Sequence, residues 1–230
     1  MLTVKHGFSR EALDSYAYES HVRAIAATQS GAFQAEILPI EITSADGGKD
    51  MHSVDEGIRF DVTLEAIRSV KLLTEGGAVT AATSSQICDG ASGVIIASER
   101  AVKEYGLTPL ARFHRMTVLA GDPDIMLEEP LFATDRALAR CGMRIEDIDL
   151  YEVNEAFAPV PLAWLKHTGA DPDRLNVHGG AIALGHPLGC SGTKLMTTLI
   201  YALKRRQKRF GLQTMCEAGG MANVTIIEAL

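Results

Sequence analysis

The sequence predicts a layered α/β architecture, and three observations in its second half carry that prediction. From Pro109 onward, strand-like and helix-like patterns alternate, as a sheet covered by helices requires. The apolar run Leu212-Gln213-Thr214-Met215-Cys216 runs straight into Glu217-Ala218-Gly219-Gly220, a buried strand followed by open backbone. Between them, Gly179-Gly180-Ala181-Ile182-Ala183-Leu184-Gly185-His186-Pro187-Leu188-Gly189-Cys190-Ser191-Gly192 sets a histidine in a broken turn ahead of a helix. Loops at strand ends are where such domains carry chemistry.

The elements follow in order. Arg10 to Ser30 reads as a helix, with Leu13, Tyr16, Ala17, Ala24 and Ala27 at helical spacing and Gly31 as its stop. Glu36 to Ile42 is strand-like, with Pro39 confining it to an edge. Ala45 to Gly57, rich in Gly, Asp and Ser, reads as a surface loop. Thr63 to Leu73 reads as a helix, and Gly93 to Ala97 as a short buried strand leading to a helix that ends at Gly106. Arg112 to Leu119 is a strand, Thr134 to Cys141 a helix and Ile148 to Val153 a strand. The helix after Asn154 carries Pro159 and Pro161 early, so an irregular first turn is expected. A strand near Leu175 to Val177 precedes a long helix from Ser191; Leu212 to Cys216 and Val224 to Ile227 form an antiparallel pair.

Composition narrows the function classes. A chain of 230 residues, 47% hydrophobic and 22% charged, holds one or two ordinary globular cores. Its net charge of −7 argues against a general nucleic-acid binder. The basic run Lys204-Arg205-Arg206-Gln207-Lys208-Arg209 complements the dipole at the end of a helix, or forms a patch for phosphates or an acidic partner. Four irregularly spaced cysteines with no secretory signal suit reduced thiols in a cytosol-like, cytoplasmic setting. No apolar stretch is long enough to span a membrane. The Cys and His spacings match no structural zinc site, so no metal is expected. Gly185 to Lys194 is superficially like a phosphate-binding loop, but Thr193 separates Gly192 from Lys194.

Three blocks carry chemistry. His186 lies between Gly185 and Pro187, on backbone that is neither regular helix nor strand, and its imidazole titrates near neutrality. That suits a general base for a thiol. Ser191 is then expected to cap the helix through Leu195, Met196, Leu199 and Leu203. Cys216 ends a strand beside backbone N–H groups of Ala218, Gly219 and Gly220 that could form an oxyanion hole, and it exchanges protons if its pKa is lowered. A buried apolar cysteine fits the same position. Asn154 ends another strand, to orient a water or substrate oxygen, to cap the next helix, or both.

With Asn154-Glu155-Ala156-Phe157, Gly185-His186-Pro187-Leu188-Gly189 and Cys216 followed by Gly219-Gly220-Met221, the chain resembles the thiolases, the acetyl-CoA acetyltransferases and 3-ketoacyl-CoA thiolases of fatty-acid β-oxidation and related lipid metabolism. Ser9-Arg10-Glu11, Asp14, Tyr16-Ala17, Asp55-Glu56, Arg59 and Thr63-Leu64-Glu65 extend the resemblance over essentially the whole chain. It implies that His186 activates a nucleophilic cysteine and, with a water held by Asn154, stabilises the thioester oxyanion. It implies that Cys216 exchanges protons with the CoA thiol or the acetyl α-carbon, and that the Ala218 N–H serves a second oxyanion hole. Ser85 and Arg59 would contact CoA, and Met126 and Phe157 would line the pantetheine and acyl tunnel. CoA enters as co-substrate, with no covalently bound cofactor, and the assembly is expected to be a homo-oligomer.

The resemblance also implies an organisation. The expected fold is a complete C-terminal thiolase half, a mixed sheet with helices on both faces, plus part of the loop domain and the end of the N-terminal half. Residues 1–87 would be the loop and CoA-binding region, 88–108 the last elements of the N-terminal half, and 109–230 the C-terminal domain. The family nucleophile lies in Cys-x-Ser-Gly, which matches none of Cys88, Cys141, Cys190 or Cys216. The chain is therefore expected to need an N-terminal segment that brings this cysteine, and alone to expose a sheet edge and an apolar helix face. The alternatives are a non-catalytic CoA- or acyl-binding protein and a thiolase-like subunit completed by a partner. Ketoacyl synthases, which lack the Cys216 block, are disfavoured.

Overall fold

The computed structural model describes residues Met1 to Leu230. In chain order its elements are α1 (Leu2–His6), α2 (Arg10–Gln29), β1 (Ile40–Thr43), β2 (Lys49–His52), α3 (Leu64–Ser69), α4 (Glu99–Tyr105), β3 (Ala111–Ala120), α5 (Glu129–Cys141), β4 (Leu150–Val153), α6 (Pro159–Thr168), α7 (Ala181–Leu184), α8 (Ser191–Arg206), β5 (Phe210–Glu217) and β6 (Met221–Ala229).

The main sheet has the order β3-β6-β5-β4; β3, β6 and β5 run antiparallel, and β4 joins parallel to β5. Side chains alternate between its faces, so each strand feeds two layers. Tyr151, Val153, Leu212, Ala222, Val224 and Ile226 pack with α5 and α6 around Trp164. Leu150 and Ile227 pack on the other face against Met196, Leu199 and Leu203 of α8. The expected mixed sheet with helices on both faces is therefore present. Every residue of β4 is buried, which explains its lack of a polar alternation.

The longest helix, α2, is bounded by its caps. In α2 the Ser9 hydroxyl accepts the Ala12 N–H at 3.2 Å, and Gly31 ends the run at φ 68°. This helix lies over the sheet domain: Leu13 and Ala17 pack with Ile67, Ala158 and Ile182, while Ala24 and Ala27 pack with Phe33, Ile58, Ala183 and Leu184. It thereby roofs the segment that carries the histidine.

Several expectations are corrected. The region Ala45 to Gly57 is not all loop, because Lys49–His52 returns antiparallel to Ile40–Thr43 through an Asp46-Gly47-Gly48 turn. The first strand starts at Ile40, after Pro39, rather than at Glu36. The helix expected to reach Leu73 stops at Ser69, where Val70 turns extended. Gly93 to Ala97 forms no strand, and Ile95 and Ile96 stand 93% and 72% exposed. A strand exists only when another backbone answers its N–H and C=O groups, and no strand of the chain pairs with this run. The helix after Asn154 begins at Pro159, where a missing N–H costs nothing.

The strand expected at Leu175 to Val177 shrinks to a parallel bridge between Tyr151 and Leu175. Asn176 stands at φ 44°, which breaks the extended run. Its carboxamide takes over the pairing: Oδ1 accepts the Val153 N–H and Nδ2 donates to the Val153 carbonyl, both at 2.9 Å. One side chain thus closes the edge of β4.

Candidate active site

The histidine block folds as a one-turn helix followed by two tight turns. Gly185 takes φ 87° and ψ 163°, backbone that favours glycine, and a Cβ there would meet the Cys88 sulfur. The His186 N–H then donates to the Gln86 carbonyl at 3.0 Å. The Gln86 Nε2 in turn donates to the carbonyls of Gly57 (2.9 Å) and Ile182 (2.8 Å). One glutamine therefore clamps three segments around the histidine.

The imidazole is half-buried and both its nitrogens are engaged. Nε2 lies 3.2 Å from Nδ2 of Asn154, and Nδ1 lies 2.6 Å from Oγ of Ser191. An amide nitrogen only donates, so Nε2 is the acceptor and the proton sits on Nδ1. Nδ1–H donates to Ser191 Oγ, whose own proton goes to the Pro187 carbonyl at 3.1 Å. Burial, helped by the Lys194 charge, lowers the imidazole pKa and keeps it neutral near pH 7. Two cap assignments are thus corrected. Ser191 is the first residue of α8, whose N-cap is Cys190, and it serves His186 instead. Asn154 caps nothing, since α6 starts from Ala158; its carboxamide faces the imidazole.

Glu155 shows why this end of the sheet holds its shape. Its oxygens accept from Tyr16 Oη (2.8 Å), Ser20 Oγ (2.6 Å), Asn176 Nδ2 (3.0 Å) and the Ile182 N–H (3.1 Å). A Cβ on Gly180 would collide with this carboxylate. The residue ties α2, the Asn176 turn and α7 to the end of β4, one position beyond Asn154.

Cys216 lies at the end of β5, the strand paired with β4. The Asn154 N–H donates to the Thr214 carbonyl at 3.1 Å, so asparagine and cysteine share one end of the sheet. The thiol is partly buried against the main core, and burial pushes it up to about 11. Of the two readings open for this thiol, the environment matches the buried one: no cation offsets the desolvation, and Glu217 adds a repulsive charge. Ala218 stands exposed in the following turn, and its N–H donates to no protein acceptor. Gly219 and Gly220 hold positive φ, and the Gly220 carbonyl accepts the Gly121 N–H at 2.9 Å.

The remaining expected residues fall in two groups. Ser85 and Phe157 come together: the Ser85 N–H donates to the Ala156 carbonyl at 3.0 Å, and Ser84 bridges Phe157. Met126 is 39% exposed in a short turn before α5. Arg59 is exposed on the loop before α3, where its charge acts on the buried His21. Neither Met126 nor Arg59 is among the hydrogen-bond partners of His186. Among the other thiols, Cys88 is exposed with its sulfur against Gly185, Cys141 donates to the Ala137 carbonyl at 3.1 Å, and Cys190 is buried. Gln86, Asn176 and the role of Ser191 escaped the sequence reading. Only Ser191 had a signal there, its place on the turn that follows His186-Pro187.

Two family models match, the thiolase N-terminal domain over residues 1–100 and the thiolase C-terminal domain over residues 107–229. Among curated proteins, a steroid 3-ketoacyl-CoA thiolase of Mycobacterium tuberculosis, FadA6, is 52% identical over 100% of this chain and 55% of its own length. A 3-ketoacyl-CoA thiolase of Citrobacter koseri is 45% identical over 99% of this chain and 60% of its own. The chain thus spans somewhat more than half the length of these relatives. Human mitochondrial 3-ketoacyl-CoA thiolase superposes with a TM-score of 0.96 at 43% identity, covering 100% of this chain and 58% of that one. A crystal structure of the human enzyme in complex with CoA superposes at 0.95 with 42% identity, over 100% of this chain and 57% of that one.

Proposed function

The chain belongs to the thiolase family, and we propose that it acts in the thiolytic cleavage of 3-ketoacyl-CoA by CoA, or in the reverse Claisen condensation. The observation that carries this reading is the imidazole of His186, neutral, with its Nε2 lone pair beside Asn154 and its Nδ1 proton held by Ser191. In this reading Nε2 takes the proton of the attacking thiol, and the imidazolium, with a water held by Asn154, then faces the developing thioester oxyanion. Cys216 works as an acid. A thiol kept protonated by burial delivers its proton to the acetyl α-carbon as the carbon–carbon bond breaks, and the free Ala218 N–H supports the second oxyanion.

The covalent step needs a nucleophilic cysteine. The family motif for it, Cys-x-Ser-Gly, matches none of the four cysteines. The CoA arm would run past Ser85, Met126 and Phe157, with Arg59 toward the nucleotide. Residues 1–87 would serve CoA contact, 88–108 complete the N-terminal half, and 109–230 supply the catalytic side chains. A cytoplasmic homo-oligomer with CoA as co-substrate completes the reading. The FadA6 likeness makes ring-bearing acyl chains the first substrates to compare with linear ones.

The test is thiolysis by the protein purified from its own source, with acetyl-CoA and shortened acyl-CoA identified by mass. Turnover that His186→Ala abolishes supports the reading. CoA binding without turnover would replace it with the non-catalytic binding protein.

A further inference from the structure

Behind the His186–Asn154 pair, on the α8 face of β4, lies a small cavity that Leu184 and Leu195 share with polar side chains. Glu152, Asn154, Ser191, Lys194 and Thr198 line it, and its volume is about 10 Å³. Glu152 and Asn154 are each 1% exposed, and the fully buried Oε2 of Glu152 and Oδ1 of Asn154 have no protein partner. Buried polar atoms are nearly always hydrogen-bonded, and this volume matches one water position. The hydroxyl donors around the cavity are engaged elsewhere, and the Lys194 ammonium spends one of its three N–H groups. Thr198 donates to Glu36 at 3.3 Å, Ser191 to the Pro187 carbonyl at 3.1 Å, and Lys194 to the Leu184 carbonyl at 3.0 Å.

We propose that Glu152 is a positioning residue for the base: with one water held in this cavity, it fixes the Asn154 carboxamide so that Nδ2, not Oδ1, faces His186. The water donates to Oδ1 and accepts from the carboxyl group of Glu152. A carboxamide held this way leaves His186 one choice, the proton on Nδ1 and the lone pair on Nε2. Without the lock, Asn154 can turn over and accept a proton from Nε2, which takes away the basic nitrogen. A neutral carboxyl donates to the water and leaves both water protons for acceptors such as Oδ1. Burial, with the charges of Glu155 and Glu36, raises the Glu152 pKa well above the usual range, and Lys194 and Arg23 offset this only in part.

The inference rests on the reading of His186 as the base, and its test does not depend on turnover. In the intact protein with ¹⁵N-labelled histidine, the seven imidazoles give tautomer-specific spectra, and His186→Gln identifies the one in question. The expected result is a single Nδ1–H tautomer in the wild type and in Glu152→Gln, which keeps a neutral donor. Glu152→Leu loses that single tautomer. In the active enzyme its kcat falls about tenfold with KM unchanged, the worth of one buried hydrogen bond. Glu152→Gln behaving like Glu152→Leu, or Glu152→Leu keeping the wild-type tautomer, overturns the proposal. Should Glu152→Leu fail to fold, the wild type decides alone. The ¹³C carboxyl signal of Glu152, identified by its absence in Glu152→Gln, stays that of the neutral acid at pH 7, and an ionised signal there overturns the proposal. A locked tautomer in a protein that cleaves no 3-ketoacyl-CoA would sink the functional reading and leave this one standing.

Discussion

The two glycine-rich turns of the site are held in opposite ways. The His186 turn is wired: Gln86, Ser191, Asn154 and the Glu155 hub engage its backbone and its ring. The Cys216–Gly220 turn is open at its tip: Ala218 and Gly219 are exposed, the Ala218 N–H is free, and beyond the strand pairing of Cys216 and Glu217 the tip is tied by a backbone bond at Gly220. A base must keep one nitrogen basic through a catalytic cycle, so its tautomer has to be fixed by partners. A proton donor beside an oxyanion hole needs its N–H groups unspent until a ligand arrives. The rigid turn stores chemical identity, and the open turn stores unspent hydrogen bonds.

The largest expected effect breaks the wired side directly. His186→Ala is expected to lower kcat for thiolysis by roughly 10²–10⁴-fold, the usual worth of a general base, while circular dichroism stays native. The next effect falls on stability. Glu155→Ala strands four donors in the interior, and chemical denaturation should register a loss of roughly 3 kcal/mol. A loss below about 0.5 kcal/mol would show that the hub does not hold the turn.

The open side is sharpened by thiol labelling. With a pKa of about 11, Cys216 carries about one thiolate in a thousand at pH 8, so it should alkylate far more slowly than the exposed Cys88. Peptide mass mapping against time measures the order, and Cys216 labelling first would mean that the thiol is activated. The smallest effect is on the pH dependence of stability. His21 and His178 are lowered to about 4 by burial, so the unfolded chain binds protons that the folded chain refuses. Stability is full above the unfolded value of about 6.5 and declines as pH falls toward 4, and a falling Tm over that window checks it.

How legible this was differs by the kind of interaction. The sheet–helix alternation of 109–230 was readable because one-sided burial leaves a period in the sequence, and the reactive types announced themselves through their turns. Partnership was not readable. Ser191 looked like a cap because caps and imidazole partners are chosen from the same hydroxyl residues. Leu175 to Val177 looked like a strand because the sequence does not reveal that Asn176 would adopt positive φ and pair through its side chain. Gly93 to Ala97 looked like a strand because apolar runs do, while strand formation depends on a partner. The state of the Cys216 thiol was left open between an activated and a buried cysteine, because the small neighbours do not reveal that β5 packs it against the main core.

The account turns on whether His186 is the base that works in the neutral form. The pH dependence of kcat/KM for thiolysis of a 3-ketoacyl-CoA by the natively purified protein tests this most directly. The account predicts an acidic limb with an apparent pKa below the ordinary imidazole value of about 6.5, because burial and Lys194 disfavour the imidazolium. A limb above that value would mean that the free enzyme stabilises the charged ring, and would contradict the arrangement of Asn154, His186 and Ser191 described above.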